Sequence, residues 1–406
     1  MRRFLLDGVV CQDDDAAFDD LLSRAYRAKV RPYCLCCDLP VPMYITHIGD
    51  QLIVKRMPLS GGKHGPDCPS YEPPYELTGL GPLMGSAIKL DTSTGIASLR
   101  LDFSLSTRGT RSKSGDTSEA PDSVKAESKK LSLRALLHLL WHESGLTEWT
   151  ARWTGKRHWW QVYHHLTEAA ELIEVRGEKL RDRLFIPEPF RTEDKVIIEQ
   201  RRAQRLASLF QASIGSKQLM VLVGEIKDFS DARNGRQVVI KHMPGFRLFL
   251  GDPAWRSLQQ RFETELMLWQ GNDTSHLMAI MTIGGSPAGI TTIHEIALMA
   301  VTEQWLPVES AFEQKLVERL ARLRLKSAKG LRFNLARGQP LANAILLEAK
   351  PIPCALYIVP PNAGDEFDTA LNELVAARSD LAAWIWRVAD GEMPPLPVEE
   401  HHARLA

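Results

Sequence analysis

The sequence predicts an α+β fold divided into several domains, and three observations predict it. Four of the six cysteines gather near one histidine within the first 70 residues. Residues 104–130 contain almost no large apolar side chain. After them, the spacing of apolar residues switches repeatedly between the three-to-four period of a helix and the alternation of a strand.

At 406 residues, 44% hydrophobic and 25% charged, the chain exceeds one ordinary core and has the makeup of a globular protein. Basic and acidic side chains number 50 each, so any nucleic-acid surface has to be a local patch. The N-terminus is too short in apolar residues for a signal peptide, and the most apolar stretch, 276–301, is broken by Gly284, Gly285, Pro287, Gly289, His294 and Glu295. A cytoplasmic location is the expectation, where clustered cysteines hold metal more often than they form disulfides.

Residues 1–103 read as a β-rich, metal-binding module, with strands at 51–56 and 88–105, the second carrying Ala97, Leu99, Leu101 and Phe103 in alternation. Segment 104–130 reads as a disordered linker, too poor in apolar groups to offset the entropy of ordering. In 131–190, Ser132 is an N-cap candidate, and Leu133, Leu136, Leu137, Leu140 and Trp141 form one helical stripe. A short helix at 147–153 and a third after Gly155 follow, the latter with Trp159, Val162, Tyr163, Leu166 and Ala170 on one face. Segments 172–176 and 180–186 then flank a Gly177-Glu178 turn, and three helices followed by a hairpin is the order of a winged helix. Residues 191–305 read as mixed α/β, with a charged helix at 193–211 and strands on either side of Asn234-Gly235. In 306–392 the order is helix, strand, strand, helix, strand, and 393–406 form a loose, Pro-rich tail.

Cys34, Cys36, Cys37, His64 and Cys68 are the candidate metal ligands. Two short local pairs are how a tetrahedral zinc site is usually delivered, and Cys34 can pair with either Cys36 or Cys37. His47 is a possible substitute, although its neighbours look like a strand. No general base accompanies the cluster, so the expected role of the zinc is structural, and its removal should unfold residues before the linker while sparing those beyond about 131.

Arg31-Pro32-x-Cys34-Leu35-Cys36, Val41-Pro42-Met43-Tyr44-Ile45, Lys55-Arg56-Met57-Pro58, His64-x-x-x-Cys68-Pro69-Ser70-Tyr71 and Gly155-Lys156-Arg157-x-Trp159 together resemble the bacterial domain-of-unknown-function family 1173, over most of the chain. The resemblance implies Cys34, Cys36, His64 and Cys68 as the paired residues, whereas Cys-x-x-Cys spacing prefers Cys37. It also implies the setting of plasmids and integrative conjugative elements, with other mobile-element proteins as potential partners, and brings no activity with it.

Lys156 and Arg157 open the third helix, Trp160 and His164 face outward, Arg152 lies just upstream, and Arg181 and Arg183 sit on the expected wing. These seven residues are the candidate contacts to double-stranded DNA, set against the plainer reading of a solvated face. The C-terminal order is similar to the core of PD-(D/E)XK nucleases, in degenerate form. Such chemistry needs carboxylates on adjacent strands to hold magnesium. Glu313, Glu348 and Lys350 are the candidate catalytic set, but Asn343 stands where an aspartate is needed. No phosphate-binding loop, nucleophile elbow or Gly-x-Gly-x-x-Gly is present. The sequence therefore favours a zinc-containing, DNA-associated accessory protein over an enzyme, with a metal-dependent nuclease and a protein-interaction scaffold as the alternatives.

Overall fold

The computed structural model describes residues 2–398 apart from 49–50, 66, 92–93, 95, 108–128 and 212–216. The N-terminal sheet has five antiparallel strands in the spatial order Val9–Gln12, Arg3–Leu6, Tyr33–Cys34, Val41–Ile48 and Gln51–Arg56. Helix Phe18–Ala28 packs on it because Phe18, Leu21, Leu22 and Ala25 recur at helical spacing and are buried. Its small core, built on Phe4, Leu6, Leu22 and Met43, is separate from the main one.

The expected division at residues 104–130 is not a division of the core. Most of that segment, 108–128, lies outside the described residues. On its flanks, Ser106–Thr107 pairs with Lys217–Gln218, and Leu101 bridges Leu131. Ile88–Leu90 and Ala97–Leu99 share a sheet with Ile173–Val175 and Glu178–Lys179. The alternating apolar residues of 97–103 thus fill a core that residues 131–175 also build, as a parallel pairing far apart in sequence allows.

Helix Leu133–Glu143 starts on Ser132, whose hydroxyl accepts from Ala135 N at 3.1 Å. Every residue from Leu133 to Trp141 is buried. Its buried polar side chains have partners: Arg134 donates to the carbonyls of Phe333 and Leu335, and His138 Nδ1 accepts from Phe333 N at 3.0 Å. Only part of the winged-helix expectation survives here. The second helix is replaced by strand Glu148–Trp149 and a single turn, Ala151–Trp153. The hairpin's second arm is split into a helical turn, Leu180–Arg183, and Leu184–Phe185, which leaves to pair with Met220–Ala232. Leu184 and Phe185 are both buried, so that arm serves the core rather than a projecting wing.

The middle of the chain closes a barrel. Met220–Ala232, Gly235–Ile240, Leu248–Gly251, His276–Gly285 and Thr291–Val301 are its five strands in chain order. The first pairs with the second and the fourth, the second with the third, the third in parallel with the fifth, and the fifth with the fourth. Helices Asp252–Arg261 and Glu263–Gln270 connect the third strand to the fourth and pack against the wall. Helix Leu133–Glu143 covers the outside of the fourth and fifth strands, and residues 220–226 of the first strand are likewise buried on both faces. The second and third strands keep an outward side in contact with solvent.

The C-terminal sheet runs Ala382–Arg387, Cys354–Val359, Ala344–Leu346, Ser327–Lys329, with Glu148–Trp149 added at its edge. Ala344–Leu346 is antiparallel to both neighbours, and the outer pair is parallel. Strand Ser327–Lys329 was absent from the predicted order, since Ser-Ala-Lys carries no apolar alternation. Gly79 fastens the N-terminal part here: its N–H donates to Leu331 O at 3.0 Å, and an added Cβ would lie 2.0 Å from Arg332 O. Gly79→Ala is therefore expected to destabilise the chain by about 1–3 kcal/mol, the usual cost of overpacking, read as a lower midpoint in urea unfolding.

Burial pushes His138 and His165 down from 6.5 to about 3, so both are neutral in the folded chain. Their contribution to stability is complete above 6.5 and is lost as pH falls from there toward the folded-state values. Relative to His138→Gln, the parent chain should lose unfolding free energy as pH falls from neutral to about pH 4.5.

Candidate metal centre

Four loops and strand ends deliver the cluster. Cys34 ends strand Tyr33–Cys34, held between Arg3–Leu6 and Val41–Ile48, and Cys36 follows in the next bend. His64 comes straight after the short turn Gly61–Lys63, and Cys68 N donates to Gly65 O at 2.9 Å to complete a second turn. One donor atom from each of Cys34, Cys36, His64 and Cys68 lies within 4.8 Å of all the others. Cys34 Sγ stands 3.7 Å from Cys68 Sγ, and His64 Nδ1 stands 3.3 Å from Cys36 Sγ and 3.7 Å from Cys68 Sγ. Zinc–sulfur bonds of ~2.3 Å arranged as a tetrahedron place sulfurs ~3.8 Å apart, so the donor set fits such an ion without rearrangement.

The surroundings suit thiolates. Gly65 N donates to Cys36 Sγ at 3.5 Å and Ser70 N to Cys68 Sγ at 3.4 Å. Cys34 and Cys68 share a sulfur–sulfur hydrogen bond, which holds the Cys68 thiol down and drives that of Cys34 upward. Cys34, His64 and Cys68 are buried, and four protein donors complete a tetrahedron, the pattern of a closed rather than a catalytic site. Of the two cysteines the sequence left open, Cys36 is in the group. Cys37 is exposed, with Sγ 3.6 Å from Lys63 O, and stays outside it. His47 also stays outside, its ring against Tyr26 on strand Val41–Ile48.

Arg56 links the centre to the rest of the chain. Its guanidinium donates to Glu72, four residues past Cys68, and to Glu148 Oε1 at 2.7 Å. Glu72 and Glu143 are pushed up to about 7 and about 6, chiefly by burial, which marks a charge cluster that only this packing holds together.

The candidate nucleic-acid residues fare unevenly. Arg152, Lys156 and Trp160 are exposed, and Trp160 lies over His164 at 4.4 Å between ring centroids. Arg157 is buried: it donates to the carbonyls of Leu146, Glu148 and Gln304, with Trp153 beneath it at 4.9 Å. Both of its terminal nitrogens are spent on backbone carbonyls, so it is a structural residue and not a DNA contact. Arg183 pairs with Glu178 at 2.8 Å, and Arg181 lies 3.7 Å from Glu171.

Of the candidate catalytic set, only Glu313 sits in a polar cluster. Its Oε1 meets Lys329 Nζ at 2.7 Å and Asn343 Nδ2 at 2.8 Å, all three buried. Asn343 Oδ1 in turn accepts from Ile358 N at 2.8 Å. Glu348 is exposed and accepts from Lys326 N at 2.7 Å, and Lys350 is exposed beyond the strand end, so neither joins Glu313. Lys329, which does, escaped sequence reasoning along with its strand.

These features define a multi-sheet α+β protein with a closed barrel and a Cys₃His cluster that could hold a metal ion. The chain belongs to the family described as protein of unknown function DUF1173, whose model matches residues 4–389. No curated protein and no solved structure matches it.

Metal content of the purified protein checks the ligand set. Cys37→Ser should retain the ion at the level of the parent chain, whereas Cys36→Ser and Cys68→Ser should lose most of it.

Proposed function

We propose that this chain binds single-stranded nucleic acid on the outer face of its barrel, with zinc in the Cys34, Cys36, His64 and Cys68 cluster as a structural staple. The connectivity of the barrel carries the reading. Five strands in the closed order first, second, third, fifth, fourth, with a helix between third and fourth, make the Greek-key barrel whose second and third strands bind oligonucleotides or oligosaccharides in other proteins. That likeness is one of fold, and the surface has to supply the chemistry.

On the outward side, Ser230, Gln237, Phe249 and Thr292 lie side by side across four strands, each half-buried, while the neighbouring Val238, Leu248 and Thr291 point inward. Phe249 offers a face on which a base can stack, and Gln237 a donor and acceptor. Lys227, Arg233 and Arg247 are exposed around this row and suit a phosphate backbone. The contact surface thus moves from the helix Trp159–Glu171 to the barrel, and from duplex DNA to single strands. In the mobile-element setting that the family resemblance implies, such a protein would serve as an accessory factor.

A nuclease reading has one observation in its favour, the helix–strand–strand–strand–helix–strand order with Glu313 beside Asn343. Against it, Lys329 already neutralises Glu313, and Leu356 and Ile358 occupy the adjoining strand where further ligands would be needed. The expected outcome with magnesium and any DNA or RNA is no cleavage.

Fluorescence anisotropy with a labelled oligothymidylate tests the proposal. Binding should weaken with salt, and Phe249→Ala combined with Arg247→Glu should reduce affinity about tenfold or more, since stacking alone is worth ~1–3 kcal/mol per base. Arg152→Glu with Lys156→Glu should change little. Undiminished binding by the barrel variant would refute the surface assignment, and indifference of the parent chain to nucleic acid would leave the scaffold alternative.

A further inference from the structure

A cavity of about 490 Å³ opens beside helix Lys195–Leu206 and falls in the range of small-molecule sites. Four guanidinium groups line it, those of Arg181, Arg201, Arg202 and Arg205, against a single lining carboxylate, Glu188. Glu188 is engaged by Arg201, at 2.5 Å. The remaining three are poorly matched. Arg181 and Arg202 stand 3.7 Å and 3.9 Å from Glu171 and Glu199, both beyond hydrogen-bond length. Arg205 donates only to the carbonyls of Arg181 and Leu184, and among the described residues it has no carboxylate partner.

Donor groups are left over as well. Arg202 Nη1 and Arg205 Nε are buried, and neither meets an acceptor among the described residues. Burial holds both guanidinium groups below their ordinary range, as expected where positive charge is desolvated without an equal negative charge. Phe246 supports Arg202 from one side, 5.3 Å from its ring centroid to the guanidinium carbon, which fixes the fork's position. Gln204 and His242 also line it, and the rest of the wall is apolar or aromatic, with Tyr163, Phe185, Ile198 and Met243.

We infer that this cavity binds a nucleotide, its phosphates on Arg181, Arg202 and Arg205 and its base against the apolar wall. Planar guanidinium forks that line the cavity without a carboxylate at hydrogen-bond length match phosphate oxygens in geometry and charge. A carboxylate ligand would satisfy one fork, whereas a diphosphate can engage three. The same chemistry is offered by a free nucleotide and by the 5′-phosphate end of a strand.

Isothermal titration of the full-length chain with ADP, adenosine and inorganic phosphate provides the test. ADP should bind, adenosine should bind at least tenfold more weakly, and Arg202→Gln should weaken ADP at least tenfold while Arg202→Lys weakens it less. Thermal melts of the unliganded variants check folding, and if Arg202→Gln melts early, the exposed Arg201→Gln serves as the second variant, expected to weaken ADP severalfold. Equal binding of adenosine and ADP, absence of ADP heat, or full affinity in a folded Arg202→Gln would overturn the inference. Competition by a 5′-phosphorylated but not a 5′-hydroxyl oligonucleotide would assign the site to strand ends, and competition by neither to free nucleotide. Phe249→Ala should leave ADP affinity unchanged, so this test stands apart from that of the barrel face.

Discussion

One helix sets the terms for most of this molecule. Leu133–Glu143 is buried around its whole circumference, so it has to be enclosed on every side, and its buried Arg134 and His138 take partners inside. The fourth and fifth barrel strands cover one side and helix Trp159–Glu171 another. Arg134 and His138 tie it to residues 333–335, between strands Ser327–Lys329 and Ala344–Leu346 of the C-terminal sheet, and Glu143 accepts from Leu59 N at 3.1 Å on the N-terminal side. Segments that look separable in the sequence therefore share a common centre, and the buried Arg157, bridging 146, 148 and 304 through backbone carbonyls, follows from the same enclosure.

This arrangement changes what the metal cluster does. A staple for an isolated module would be felt only by the small core of Phe4, Leu22 and Met43. Here the loop that carries Cys68 continues to Glu72, and Arg56 joins Glu72 to Glu148, which is itself the edge strand of the C-terminal sheet. An ion held by residues 34–68 would thereby act on a loop tied to residues beyond 131, where the sequence alone suggests an independent unit.

What the sequence disclosed and what it hid divide along physical lines. Local chemistry was legible: paired cysteines with a histidine four residues from Cys68, the Ser132 cap, the stripe from Leu133 to Trp141, and the strands at 354–359 and 382–387. Closure of the barrel was not. It depends on pairing Met220 with Ile283 and Leu248 with Thr291, and strands buried on both faces read as continuous apolar runs without a period. Helical periodicity placed Trp160 outward correctly, but it could not foresee that Arg157, just before the helix, would turn inward to carbonyls on two distant loops. Lys329 was invisible because three small or polar residues give no strand signal, and Glu313 found its partner there rather than at Glu348.

For the surfaces that remain, we propose binding rather than catalysis. The carboxylate of Glu313 is neutralised by Lys329, while the barrel's second and third strands carry a half-buried ring, Phe249, and an amide, Gln237, with the exposed cations Lys227, Arg233 and Arg247 beside them. Ultraviolet cross-linking of a thymidine oligonucleotide to the full-length chain, with the attached peptides identified by mass spectrometry, addresses that assignment most directly. Cross-links should fall within residues 227–251, centred on Phe249; cross-links confined to the helix Trp159–Glu171, or none at all, would contradict it.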